Sequence, residues 1–203
     1  MNVRDELIKE INETDRLRYE LWQPESTVVV LGRSQKAEQE VDILQCRAEQ
    51  IPVLKRRGGG GAVVLMPGVL CITIAFHSEK SDSPYYFFKQ INQYIIHLLS
   101  RMLIHGVVQE GISDLAIGNK KILGCSMFKS RKHFLYQGSL LVDPDFGKID
   151  RYLMHPGREP DYRQGRNHLQ FLTSLRQEGY LITVEDCCAK LHEEMENTLY
   201  LLF

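Results

Sequence analysis

The stretch LKRRGGGGAVVLMPGVLCITIAF, residues 54–76, sets three cations against four consecutive glycines and then returns at once to apolar residues. On its near side PVLKR (52–56) reads as a short strand. On its far side AVVLM (62–66) and LCITIAF (70–76) read as two more, joined by a turn at Pro67–Gly68. A glycine loop that opens a helix would point to a parallel βαβ nucleotide fold. Here strand follows glycine, and no Gly-Lys-Ser/Thr closes the run, so neither a phosphate-binding P-loop nor a dinucleotide fingerprint fits.

Working outward, LRYELW (17–22) alternates as a strand and TVVVLG (27–32) is a buried strand closed by glycine. Short strands are predicted at 114–117, 120–128 and 134–142. Helices are predicted at 3–12, where Val3, Leu7 and Ile11 lie four apart, at 38–50 and at 145–154. The clearest helix is 84–105: Ser83 caps it, Pro84 suits its first turn, Gly106 ends it, and Phe88, Ile91, Ile95, Leu98 and Met102 form one apolar stripe. A last helix starts at Thr183, with Asp186 as a weak capping box, and runs to about Tyr200. Strands gather in the middle and helices lie mostly at the ends, which is α+β and not a regular βαβ alternation. There is no internal repeat.

The 203 residues are enough for one substantial core, so a single domain is expected. Apolar content of 43% and charged content of 25% are ordinary for a globular protein, and the net charge of −1 gives no general attraction to nucleic acid or a membrane. The five cysteines (46, 71, 125, 187 and 188) have neither CxxC nor framework spacing, which favours reduced thiols in the cytoplasm. The charged N-terminal stretch lacks the apolar core of a signal peptide, and no window reaches transmembrane length.

Four glycines in a row carry a high chain entropy. They suit backbone that approaches something closely, with N–H groups converging as an anion nest, and Lys55, Arg56 and Arg57 supply charge beside it. A flexible hairpin tip with solvated cations is the competing reading. A second constellation lies in SDLAIGNKKILGCSMF (113–128), where a Gly-Asn-Lys-Lys turn carries Gly118-x-x-Lys121-x-x-Gly124 between two strands. Lys121 is either set to project into a cleft or an ordinary solvated hairpin lysine.

In order, VVVLGRSQ, KRRGGGGAV, SDLAIGNKKILGCS and YQGSLLVDPD resemble the lipoate–protein ligase and octanoyltransferase superfamily, which includes biotin–protein ligases, and lie nearest its lipoate–protein ligase A branch. The resemblance covers roughly residues 3 to 200. It implies an α+β fold with a mixed, largely antiparallel sheet flanked by helices and an acyl substrate in a tunnel. It further implies that lipoate and ATP, with Mg²⁺, form lipoyl-AMP, and that a lysine of a lipoyl domain or of a glycine-cleavage H-like carrier then takes the acyl group. By motif, Arg56, Arg57, Gly58, Gly59, Gly60, Gly61 and Ala62 would form the loop over acyl group and phosphate. Lys121 would stabilise charge on the carbonyl oxygen and the α-phosphate. Asp114 would sit near nucleotide and metal, with Mg²⁺ on its carboxylate; its alternative is a turn aspartate. Gly124 completes the lysine signature, Gly138 and Ser139 match the strand closing the tunnel, and Arg33 would lie at the tunnel mouth.

The chain departs from the family pattern at Leu65, Val69 and Gln137, where histidine, asparagine and histidine are frequent. Ligases of this kind often carry an accessory domain or obtain it as a separate chain; ending at Phe203, this sequence leaves no room for one, so a partner chain is an open expectation. A transferase needs a nucleophile, normally cysteine. The corresponding stretch is His155–Pro156–Gly157, without one, which leaves Cys125. Four residues past Lys121, it would share that lysine's strand face, about 13 Å away at about 3.3 Å per residue. A small core residue is the alternative for Cys125, and a non-catalytic carrier-binding module is the alternative for the whole chain. The loop 155–168, polar and rich in glycine, proline and arginine, carries arginines 158, 163 and 166, expected to meet an acidic carrier, to fold over the nucleotide or to be solvated.

Overall fold

The computed structural model describes residues 4–12, 14–79 and 83–203. The β-branched and aliphatic runs form two sheets. In the larger, β1 (Leu17–Trp22), β5 (Val69–His77), β9 (His133–Leu141), β8 (Lys120–Ser130), β7 (Asp114–Ile117) and β6 (Val107–Glu110) lie side by side in that order. Every neighbouring pair in it is antiparallel. In the smaller, β2 (Val28–Leu31) sits between β3 (Val53–Lys55), parallel to it, and β4 (Val63–Leu65), antiparallel. The fold is α+β with a mixed, largely antiparallel arrangement.

Strand alternation divides the large sheet into two faces. Leu70, Ile72, Ile74 and Phe76 of β5, with Phe134, Tyr136 and Leu140 of β9, pack into the main core beneath α3 (Pro84–Arg101) and α6 (Val184–Thr198). The alternate residues, among them Cys71, Thr73, Gln137 and Ser139, face the small sheet across a cleft. A second core joins β2 and β4 to Ile149 and Tyr152 of α4 (Phe146–Tyr152). Among the described residues, no helix is long and apolar enough to cross a membrane.

Several elements differ from the sequence reading for local reasons. Of the helix expected at 3–12, Val3 lies outside the described residues, and what forms is a 3-10 turn, Asp5–Lys9. The helix expected at 38–50 is two, α1 (Ala37–Glu40) and α2 (Ile43–Ala48), because Val41 leaves to bridge Leu153 and the Asp42 side chain caps the second by accepting from Gln45 N. α3 ends at Arg101, short of Gly106, where Leu103 takes a left-handed conformation. Ser83 makes no side-chain cap to it. Edge strand β6, VVQE, has no apolar–polar alternation to mark it in the sequence. The 155–168 loop contains a 3-10 turn, Asp161–Arg163, and leads into α5 (His168–Phe171).

Candidate functional site

A bulge decides which β8 side chains enter the cleft. Leu115 pairs with Leu123, but the next residue, Ala116, pairs with Lys121, so Ile122 is the extra residue. Ile122 and Leu123 both turn to the main core. The parity of the strand therefore switches, and Lys121 and Gly124, three apart, share the cleft face. Cys125 borders the cleft but does not aim its side chain into that face. Its thiol points to the helix-packed face, 2.9 Å from Ser113 O and 3.5 Å from Asn92 Oδ1. The expectation that Lys121 and Cys125 present one face is corrected by this single inserted residue.

The lysine side chain folds back over Gly124: a Cβ there would fall 2.5 Å from Lys121 Nζ. Its ammonium lies 2.9 Å from Asp114 Oδ1. Asp114, on neighbouring β7, is buried, with Ser113 Oγ 3.3 Å from Oδ1. Its other oxygen, Oδ2, accepts from the Tyr162 hydroxyl at 3.0 Å. Asp114, Lys121 and Gly124 thus form one constellation, and Tyr162, which the sequence reading passed over, joins it from the 155–168 loop. Burial, then the Asp114 carboxylate, pushes the Tyr162 hydroxyl well above the usual phenol range, so it stays a donor.

The glycine loop faces this constellation across a cleft of about 1270 Å³ lined by both sheets. Two of its glycines are required, one by close approach and one by backbone conformation. A Cβ at Gly58 would meet Ser126 Oγ at 2.8 Å, and Gly60 has a φ of +90°. Gly32, at the end of β2, is constrained by the same loop: a Cβ would fall 2.1 Å from Gly60 O. Gly59 and Gly61 would meet nothing within 4 Å.

Arg56 is buried and holds the loop from inside. Its Nη2 donates to Gly59 O at 2.6 Å and Gly61 O at 2.9 Å, and its Nε donates to Ser126 Oγ at 3.1 Å. Burial pulls its pKa down to about 10, opposed by Asp5, so it remains a cation at neutral pH. Its Nη2 is committed to carbonyl oxygens of the loop, which makes it a brace in this structure, and it also lines the cleft. Arg57 and Arg33 lie outside the cleft lining. The Arg57 guanidinium stacks over Phe128 at 5.7 Å, and its backbone N–H donates to Asp5 Oδ2 at 2.9 Å. Gly60, Gly61, Ala62, Gly138 and Ser139 do line the cleft.

The cleft has an apolar arm, where Val30, Val63, Leu65, Leu141, Ile149 and Leu153 contribute. The strand Gly138–Ser139 closes one wall, with Ser139 Oγ donating to Gly124 O at 3.3 Å. Leu65 and Gln137, two of the departures, are lining residues.

The 155–168 loop closes the cleft as a strap. Arg166 donates to Asn119 O at 2.9 Å and Tyr162 O at 2.7 Å, tying it to the β7–β8 turn. Arg163 and Arg166 flank the Phe171 ring at 4.8 and 5.3 Å. Both arginines therefore serve the strap itself, and of the three expected to meet a carrier or nucleotide only Arg158 is left exposed on the cleft. His168, also buried on the cleft and not anticipated, is held down to about 4 by burial and then by Arg163.

Two further expectations meet the geometry. Burial pushes the Cys125 thiol up to about 12, the reverse of an activated nucleophile. Both oxygens of Asp114 are engaged, by lysine and by tyrosine, and among the described residues no three His, Cys, Asp or Glu gather as a metal-holding group. These residues do not fit a resident metal site.

Residues 1–196 match the family described as Lipoyl protein ligase A/B catalytic domain. The chain is 31% identical over 144 residues to "Probable lipoate-protein ligase A" of Mycoplasma genitalium, covering 70% of this chain and 41% of that relative. It is 32% identical over 139 residues to "Lipoate-protein ligase A" of Psychrobacter cryohalolentis, covering 67% of this chain and 38% of that relative. The match thus spans about two fifths of each relative's length. Among solved structures, a bi-partite lipoate protein ligase with its E2 lipoyl domain from Thermoplasma acidophilum superposes with a TM-score of 0.84 at 20% identity, covering 98% of this chain and 77% of that one. A lipoate-protein ligase A bound with ATP superposes with a TM-score of 0.82 at 19% identity, covering 98% and 78%. At these identities the superpositions speak to the fold.

Proposed function

The chain belongs to the Lipoyl protein ligase A/B catalytic-domain family, and from that premise we propose that it activates lipoate with ATP and hands the lipoyl group to a lysine of a carrier protein. The observation that carries the reading is the Lys121–Asp114 pair, 2.9 Å apart, in one cleft with the braced glycine loop and an apolar arm. The arm suits a short acyl chain. Lys121 presents an ammonium where a carboxylate and a phosphate would meet. The lipoate carboxylate oxygen attacks the α-phosphorus, pyrophosphate leaves, and a lipoyl-AMP mixed anhydride results. Charge grows on the α-phosphate oxygens in that step and on the acyl oxygen in the next, so a fixed cation between them stabilises both. In the second step the carrier amine attacks the acyl carbon, AMP departs, and the amine loses its proton.

Mg²⁺ enters this scheme as the counter-ion of the ATP substrate, held mostly by phosphate oxygens and water. A lipoyl domain is the proposed acceptor class, in keeping with the E2 lipoyl domain that accompanies the Thermoplasma ligase. That ligase is bi-partite, which supports testing for an accessory chain here too. Transfer through a Cys125 thioester is disfavoured, because that thiol faces away from Lys121 and is held protonated.

The test is lipoate-dependent release of labelled pyrophosphate from ATP, followed by mass gain on a lipoyl domain. Lys121→Ala should abolish both at unchanged fold. Release that ignores lipoate, or turnover that survives Lys121→Ala, would remove the proposal.

A further inference from the structure

The Tyr162 hydroxyl reaches the carboxylate that holds Lys121. The chain of contacts is short: Tyr162 OH to Asp114 Oδ2 at 3.0 Å, then Asp114 Oδ1 to Lys121 Nζ at 2.9 Å. A lysine ammonium on four rotatable bonds has no fixed position of its own. Its place here is set by one carboxylate oxygen and by the empty space above Gly124. The carboxylate is itself buried, and its far oxygen has the tyrosine hydroxyl as its side-chain donor.

We propose that Tyr162 is a positioning residue, fixing Lys121 through Asp114 when the 155–168 strap is docked; its kinetic consequence rests on the ligase reading above. Without the hydroxyl, Asp114 Oδ2 is a buried acceptor without that donor. The carboxylate then gains by rotating toward water, and Oδ1 leaves the ammonium as it turns. The strap becomes more than a cover: docking it completes the geometry of the reacting lysine.

The backbone of the strap is pinned without the hydroxyl. Arg166 holds Tyr162 O and Asn119 O, Thr173 N donates to Lys121 O at 3.0 Å, and the Tyr162 ring lies 5.0 Å from that of Phe171. Tyr162→Phe therefore keeps the ring packing and the pins and removes one donor.

Two measurements on Tyr162→Phe test the proposal. The first needs no turnover. In competitive trace acetylation, read by peptide mass spectrometry against exposed Lys190 of α6, Lys121 should label several-fold faster than in the unaltered chain. Labelling within two-fold of the unaltered chain would overturn the coupling. The second is kinetic. The rate of lipoate-dependent pyrophosphate release should fall about ten-fold, the size expected for one hydrogen bond to a charged group. KM for ATP should stay as it is, and the melting temperature should fall by no more than about 10 °C, the size of one lost hydrogen bond to a buried charge. The double variant Asp114→Asn/Tyr162→Phe should be no slower than Asp114→Asn alone. A raised KM for ATP at constant kcat would make Tyr162 a nucleotide contact instead. An additive double variant, or a melting temperature that drops while Lys121 labelling is unchanged, would make it a structural residue. If the unaltered chain releases no pyrophosphate, the ligase reading falls and the labelling result still decides the coupling.

Discussion

Placing alanine at Gly124 puts a methyl group where the Lys121 side chain now lies. The new Cβ would stand 2.5 Å from Nζ and 2.6 Å from Cε, against about 3.4 Å for ordinary contact. The ammonium must retreat by about 1 Å, and its 2.9 Å contact with Asp114 is what it retreats from. Displacements of that size at a reacting group lower rates by about 10²-fold. Pyrophosphate release should therefore fall about a hundred-fold in Gly124→Ala.

Stability gives a sharper check, because two effects of opposite sign are involved. The Gly124 backbone is not in the left-handed region, so alanine fits it and should stabilise by about 0.4–1 kcal/mol through the unfolded chain. Against that, disturbing a buried charge-assisted hydrogen bond costs about 1.5–3 kcal/mol. The net expectation is a loss of about 1–2 kcal/mol in urea unfolding followed by circular dichroism. In a Lys121→Ala background the obstruction is gone, and the nearest remaining atom is Asp114 Oδ1 at 3.8 Å. There the same substitution should turn stabilising, by about 0.5 kcal/mol. If Gly124→Ala destabilises equally in both backgrounds, the crossing of lysine over glycine is not the reason for the glycine.

Arg56→Lys should lose about 3 kcal/mol of stability, because an ammonium cannot reproduce the fork that holds Gly59 O, Gly61 O and Ser126 Oγ, whereas Arg57→Ala should lose less than about 1 kcal/mol, its main contact being an exposed stack on Phe128; thermal melts compare them. Cys125→Ala should keep pyrophosphate release, and iodoacetamide should modify Cys125 slowly at pH 8, since a thiol at about 12 is only about one part in ten thousand thiolate there. His168, held at about 4 in the folded chain against 6.5 unfolded, favours the unfolded state as pH falls through 6.5; between pH 7 and pH 5 the loss should be about 2 kcal/mol, and His168→Gln should flatten that slope in urea titrations.

Much of the fold was legible because its strands are short apolar runs cut by strong punctuation. The sequence bounds of the strands at 17–22 and 114–117 are those of β1 and β7, and the strand that follows the glycines already argues against a parallel nucleotide fold. What the residues did not reveal depended on partners distant in sequence. The break at Val41 comes from a bridge to Leu153, over a hundred residues away. Tyr162 and His168 sit in a polar loop whose composition resembles any solvated loop; only the return of the chain to Lys121, through Leu172, brings them to the cleft. Arg56 and Arg57 are identical neighbours in sequence, and alternation alone separates the buried brace from the exposed stack.

The spacing Lys121-x-x-Gly124 shows why a strand motif can be read correctly and explained wrongly. In a regular strand, residues three apart point to opposite faces. A lysine and glycine at that spacing would then have no business with each other, while Lys121 and Cys125, four apart, would look like partners. The bulge at Ile122 reverses both conclusions: it places the glycine beneath the lysine and turns the thiol into the core. Nothing in the sequence ILGC announces the inserted residue, since isoleucine and leucine are both good strand and core residues. The chemistry therefore rests on a packing decision: two adjacent apolar side chains, both preferring the core, force the register shift that brings Lys121 and Gly124 to one face.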